Sequence, residues 1–411
     1  MEGLFTTCDT PGSVGDIGSL PDVLQTATFS KDPEFQLQAL KKLQPNRALM
    51  VMEYWSGWYD HWLDENHQTG LSNAEFQDTL KKILNLNASV NIYMFFGGTD
   101  FGFMNGADPL SSSPFYAYDA SSYDYAAPLS EAGDYTEKYS IVENIVSEYN
   151  TVKTKLPEKP KESKKYAYPS VPITSYLTGE DIIARIDAKD KVKETTVQSM
   201  ESLNINNLNG QSYGYINYRK RVNLTTDSHL KIIGHPRDIV MLMLDGDQKT
   251  NILSEPTDLT GFGYWVNGDQ EFAFNEADAG DRQLDLLVEN WGRCNYGYPK
   301  DFDQRKGLWE GPVVIDGIEQ KGWEITAVQF EKDWIDSLQG WRNMSEKAIE
   351  KGPALLRGTF EVEETLDTWI DMRNWGKGVV IFEQYKPALE VTFSNKPTYR
   401  NLANETIQGS I

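Results

Sequence analysis

With 411 residues the chain has room for two or three domains with cores of their own, so one small domain is excluded. A balance of 61 acidic against 39 basic residues gives a net charge of -22, a surface that repels phosphate backbones and anionic headgroups and argues against nucleic-acid and membrane partners. Cys8 and Cys294 are too few and too distant for a disulfide framework or a cysteine-based metal site, while 11 Trp and 21 Tyr supply flat side chains for sugar faces or β-domain cores.

Over residues 1–150, apolar runs of strand length at 3–7, 48–54 and 89–96 alternate with helical periodicity, the pattern of βα units around a parallel sheet. Phe35, Leu37, Leu40 and Leu43 predict one helix. Phe76, Leu80, Ile83 and Leu84 predict a second, opened by a capping box from Ser72 to Glu75. Tyr139, Val142, Ile145, Val146 and Tyr149 predict a third over 135–150, behind another capping-box candidate from Asp134 to Glu137. Residues 151–165 are Pro/Lys-rich and read as an exposed linker. Beyond it, short runs at 213–222, 239–244, 284–289 and 379–382 with turn residues between them predict a β half, divided near 320 into domains 166–320 and 321–411. No apolar run approaches the roughly 18 residues needed to cross a bilayer.

The stretch 51–62 carries the chemistry. An apolar strand delivers Glu53 into a cluster of aromatics, and the C-terminal end of a strand in a parallel barrel faces the mouth where loops converge. The residues alone leave two readings of Glu53 balanced, a catalytic carboxylate or the partner of a buried cation at a barrel rim. His61 and His67 lack a zinc spacing, and no phosphate loop, dinucleotide glycine pattern or Gly-x-Ser-x-Gly elbow is present, so neither a metal nor a cofactor is expected. Sequons at Asn87, Asn223, Asn343 and Asn404 are glycosylation candidates. The first residues lack the basic and apolar segments of a signal peptide, so a secretory route requires sequence upstream of Met1.

Three segments carry a resemblance. Met52 through Trp62, Asn91 through Phe101 with Asn105-Gly-Ala, and Ser121 through Asp134 are similar, in order, to the nucleophile segment and the two following motifs of glycosyl hydrolase family 35, and within it to the lysosomal-type acid β-galactosidases. Further likeness at 211–215, 284–297 and 306–309 extends it over nearly the whole chain. The resemblance implies the last part of a (β/α)8 TIM barrel, about strands 6–8, followed by β-sandwich domains of jelly-roll, galactose-binding-like form, with an atypical or truncated C-terminus. It implies a retaining β-galactosidase that removes terminal β-D-galactose from oligosaccharides, glycolipids or glycoproteins, in a lysosomal, vacuolar or secreted setting, with a homo-oligomer possible in principle.

By the same resemblance, Glu53 is the nucleophile, and Trp55, Trp58, Tyr93 and Tyr123 stand where the family's pocket aromatics stand. Trp55 replaces a frequent Tyr and removes a hydroxyl there; Asp100 replaces an Asn. The family's acid/base glutamate sits in an Asn-Glu-Tyr-Gly motif, and that motif occurs nowhere in these 411 residues. Asp60, Asp100, Asp124 and Glu131 lie near the matched motifs, but none occupies the acid position. The chain is therefore expected to be a fragment, inactive alone, and the competing expectation is a galactoside-binding or accessory protein without turnover.

Overall fold

A computed structural model describes residues 3–62, 64, 70–109, 116–150, 158–251, 260–344, 353–362 and 366–370, with short strands at 380–381, 394–395 and 407–409. Four strands, β1 (Thr6–Asp9), β2 (Leu24–Phe29), β3 (Met50–Trp55) and β4 (Ser89–Tyr93), pair in parallel in that order. The sequence reading expected three. The missing one, β2, reads Leu-Gln-Thr-Ala-Thr-Phe and shows no apolar run, yet its polar side chains are buried with partners. Gln25 exchanges bonds with the Gln44 amide at 3.1 and 2.7 Å, and the Thr26 hydroxyl donates to Thr7 O, so burial leaves these groups satisfied.

A single turn, α1 (Pro11–Val14), links β1 to β2, and α2 (Pro33–Leu43) follows β2. Leu37 and Leu40 of α2 are buried, whereas Phe35 and Leu43, expected on the same face, are exposed. The next helix, α3 (Asn73–Asn85), opens with the predicted capping box: the Glu75 amide donates to Ser72 Oγ and the Ser72 amide to Glu75 Oε2. Its Phe76, Leu80 and Ile83 join Ala27, Phe29, Leu37, Leu40, Val51 and Tyr54 in one core between sheet and helices. Burial of each such large side chain is worth about 1.5–3 kcal/mol. The last helix, α4 (Glu137–Tyr149), starts behind Thr136, so the box proposed from Asp134 to Glu137 does not form.

After β4 comes a hairpin of β5 (Gly106–Pro109) and β6 (Tyr116–Tyr118), and the strand Arg293–Cys294, from far along the chain, adds parallel to β5. The second half is a sandwich. A six-stranded sheet runs in the order Asp247–Gln248, Ile239–Leu244, Gly280–Glu289, Tyr215–Leu224, Trp323–Val328, Lys191–Glu194. A four-stranded sheet of Glu271–Ala273, His229–Ile232, Val313–Ile315 and Ile318–Glu319 packs on it, and Ile216, Leu242, Leu286 and Val288 meet Leu230, Ile232 and Val313 in a shared core.

Trp323–Val328 lies inside that sandwich, pairing with Tyr215–Leu224 on one side and Lys191–Glu194 on the other, so the division expected near 320 does not fall there. The turn signal at Asp316-Gly317 is a tight hairpin, both residues at positive φ, joining two strands of one sheet. A separate small sheet joins Ile173–Thr178 to Arg342–Asn343 and Ala354–Gly358, so the segment after the linker pairs with residues from the far end of the sandwich. Of the run at 379–382, Val380–Ile381 is described, paired with Ser394–Asn395.

Candidate active site

Glu53 owes its direction to a bulge. Val51 pairs with Ala27 and Glu53 with Thr28, while Val51 and Tyr54 pair with Val90 and Ile92, so β3 carries one residue more than either neighbour. An extra residue breaks strict alternation and re-aims the side chains beyond it. Val51 and Tyr54 therefore reach the same core, where Tyr54 stacks on Phe76 with centroids 5.2 Å apart and donates to Phe76 O at 2.8 Å. Glu53 and Trp55, flanking Tyr54, turn to the opposite face of the sheet.

The half-buried Glu53 carboxylate accepts from Thr28 Oγ1 at 3.1 Å and from Trp55 Nε1 at 3.2 Å, both on Oε2. Among the described residues no Lys or Arg pairs with it. The exposed Cys8 thiol lies beside Glu53 and Thr28; the protein atoms packed against one side of it, then the Glu53 charge, push it up to about 11, so it stays a thiol at neutral pH.

The aromatics of the sequence reading come together around this end of the sheet. Trp55 and Tyr93 are ladder partners at the ends of β3 and β4. Trp58 packs edge-on to Trp55 at 5.3 Å, and the Tyr93 and Tyr123 hydroxyls meet at 3.3 Å. Two residues that the sequence reading did not single out complete the cluster. Tyr125 is buried against Tyr93, Trp58 and Tyr123, and Tyr59 stacks between Trp58 and Tyr123 at 5.0 and 5.1 Å. Burial raises the Tyr59, Tyr123 and Tyr125 phenols far above their ordinary range, so all three keep their protons as donors.

Two motif glycines have a steric cause. A Cβ on Gly57 would lie 1.9 Å from Tyr125 O, and one on Gly97 would lie 1.5 Å from Tyr123 O. The loops after β3 and β4 can approach the 121–127 segment this closely only without side chains. Lys138 of α4 completes the arrangement from behind. Its buried ammonium donates to Ser56 O at 2.6 Å, Leu71 O at 3.0 Å and Ala126 O at 2.9 Å, fixing both ends of the β3–α3 connection and the 121–127 segment to one helix.

Of the other carboxylates near the motifs, Asp124 and Glu131 serve turns: Asp124 accepts from the Ala126 and Glu131 amides, and Glu131 accepts from the Thr99 hydroxyl. Asp60 is buried, and burial pushes Asp100 up to about 6. Asp108 and Asp119, from the β5–β6 hairpin, converge on His61, with all three ligand-type atoms within 4.8 Å of one another, so among the described residues this group is the one able to hold a metal. The sequence reading expected no metal site, since His61 and His67 lack a zinc spacing; residues 61, 108 and 119 are far apart in sequence and meet only through the hairpin. Asn87, Asn223 and Asn343 are exposed; Asn404 and His67 lie outside the described residues.

Comparison with known proteins finds related sequences along most of the chain. Residues 3–149 match the profile of "Glycosyl hydrolases family 35", and residues 202–329 match "Beta-galactosidase, first all-beta domain". The chain is 34% identical over 363 residues to a beta-galactosidase of Xanthomonas manihotis, covering 88% of this chain and 55% of that protein. It is 31% identical to human beta-galactosidase-1-like protein 3 and 33% identical to human beta-galactosidase-1-like protein 2, covering 88% of this chain in each case and 51% and 53% of those proteins. The chain thus spans about half the length of the curated relatives it matches.

Proposed function

We propose that this chain carries the nucleophile half of a retaining β-galactosidase, a reading supported by the match of residues 3–149 to the profile of glycosyl hydrolases family 35. The observation that carries the reading is Glu53 itself. Its carboxylate is steered by the β3 bulge away from the core and held by Thr28 and Trp55, with no Lys or Arg partner among the described residues. In double displacement this carboxylate attacks the anomeric carbon while a second carboxyl, about 5–5.5 Å away, protonates the departing oxygen. Thr28 and Trp55 both donate to Oε2, which orients the side chain and leaves Oε1 as the attacking oxygen.

Trp55, Trp58, Tyr93 and Tyr123 hold the galactosyl ring in this reading, the indoles by apolar contact and the paired phenols as donors to sugar hydroxyls. The acid/base motif of the family is absent from these 411 residues, so the proposal places the second carboxyl outside them and gives the isolated chain no turnover of an aryl β-galactoside. Galactose-terminated glycoconjugates are the substrates, and exposed Asn87, Asn223 and Asn343 fit a glycosylated protein of the lysosome, vacuole or cell exterior.

The test is covalent trapping. An upstream-extended form that supplies an Asn-Glu-Tyr-Gly segment is treated with a 2-deoxy-2-fluoro galactoside, and the labelled peptide is identified by mass spectrometry. Label is expected on Glu53 and absent in Glu53→Gln; label elsewhere, or label that survives the substitution, overturns the assignment.

A further inference from the structure

The loop after β3 and the β5–β6 hairpin meet at a group of side chains that the glycosidase reading does not use. His61 Nδ1 lies 2.9 Å from Asp64 Oδ2, and the same oxygen accepts from the His61 amide at 3.0 Å. A neutral ring that donates through Nδ1 presents the bare lone pair of Nε2 on its other side. That nitrogen faces Asp108 Oδ2 at 3.5 Å and Asp119 Oδ1 at 3.8 Å. Among the described residues His61 Nε2, Asp108 Oδ1 and Asp119 Oδ1 are buried with no hydrogen-bond partner.

Asp119 is the independent observation. It is 3% exposed, its backbone is fixed by donation to Gly106 O, and its unpartnered oxygen points toward the imidazole. A buried carboxylate without a donor costs several kcal/mol, and a cation bound between these three atoms would remove that cost. The separations of 3.5 and 3.8 Å are too long for good hydrogen bonds. They are close to the roughly 3.3 Å between ligand atoms in a tetrahedral zinc site with bonds of about 2.0 Å.

We propose that His61, Asp108 and Asp119 bind one divalent cation of the zinc type, which fastens the segment after β3 to the β5–β6 hairpin. One imidazole and two carboxylates suit zinc better than calcium, which takes six to eight oxygens. Asp64 is the outer partner that holds the ring nitrogen and fixes its tautomer, the arrangement usual around metal-bound histidine. The Tyr59 hydroxyl, donating to Asp108 Oδ2 at 2.5 Å, orients the second ligand. Because Tyr59 also stacks on Tyr123, the cation sets the position of one wall of the aromatic cluster without touching Glu53.

The full 411-residue chain, stripped with chelator, is titrated calorimetrically with zinc chloride and, separately, magnesium chloride, and its melting temperature is followed in both. One zinc per chain, a raised melting temperature and no comparable magnesium effect are expected. His61→Gln, Asp119→Asn and Asp108→Asn are each expected to weaken zinc binding at least tenfold, and Asp64→Asn by about 10–100-fold. Asp108 is partly exposed, so Asp108→Asn remains informative if Asp119→Asn does not fold. Zinc is also expected to slow amide exchange in β5 and β6. A wild type that binds no more zinc than His61→Gln and Asp108→Asn overturns the site and leaves a protonated imidazole as the charge between the carboxylates.

Discussion

Replacing Lys138 by Met tests whether the loops around Glu53 are held from behind. The substitution keeps an unbranched apolar stem and removes an ammonium that is 4% exposed, lies 5.5 Å from the Phe76 ring centroid and donates to three carbonyls, on Ser56, Leu71 and Ala126. Hydrogen bonds from a charged donor are worth about 1.5–3 kcal/mol each, and an abandoned buried carbonyl recovers little of that. Against this gain, burial first of all, opposed by the Asp124 charge, lowers the Lys138 amine from its ordinary 10.5 to about 8, equivalent to about 3 kcal/mol against the charged form. The net expectation is a loss of about 2–5 kcal/mol in urea denaturation at pH 7. The folded value lies below the unfolded one, so between pH 8 and 10.5 the unfolded chain holds a proton that the folded chain has released. Stability contributed by Lys138 therefore rises across that window, and the gap between wild type and Lys138→Met widens. A loss under about 1 kcal/mol at pH 7 refutes the clamp, and a gap that narrows as pH rises from 8 refutes the burial-lowered amine.

Other substitutions probe separate links. Gly97→Ala places a methyl 1.5 Å from Tyr123 O and is expected to lower the melting temperature by several degrees or prevent folding; a wild-type melt would show that the two loops separate at little cost. Lys306→Met strands the Asp238 carboxylate, whose partners include the Tyr118 hydroxyl and the Trp291 amide, in a fully buried setting, with about 3–5 kcal/mol expected by denaturation. Unchanged stability there would mean that water reaches the pair. Thr28→Val removes a donor to Glu53 Oε2 and is expected to slow trapping by the fluorinated galactoside about tenfold in the upstream-extended form, with an unchanged rate refuting the orienting role.

Legibility in the sequence followed how local each feature is. The cap of α3 is written in four consecutive residues and forms as read. Glu53, Trp55 and Trp58 lie within one matched motif of a dozen residues, whereas Tyr93 and Tyr123 were named through two further motifs and meet them only in the fold. Strand β2 was not legible, since only Ala27 and Phe29 of it join the core while its buried Gln25, Thr26 and Thr28 are met by Gln44, Thr7 and Glu53, which leaves no apolar run to read. Nor was the His61 group, whose carboxylates arrive from a hairpin more than forty residues downstream. The division near 320 is a further case: Trp323–Val328 pairs with strands on both sides inside the sandwich, partners more than a hundred residues upstream that no local pattern displays.

The parallel addition of Arg293–Cys294 to β5 has a bearing on biosynthesis. Ala107 waits for Asn295, 188 residues later, to supply its side-chain acceptor. At about 5–20 residues per second, a ribosome leaves that edge open for roughly ten to forty seconds. During that interval Trp62 and Tyr118, which finish stacked among Trp265 and Trp291, have no indoles to cover them. The outer edge of the hairpin is thus completed only once residues 293–295 have been made, long after β5 and β6 themselves.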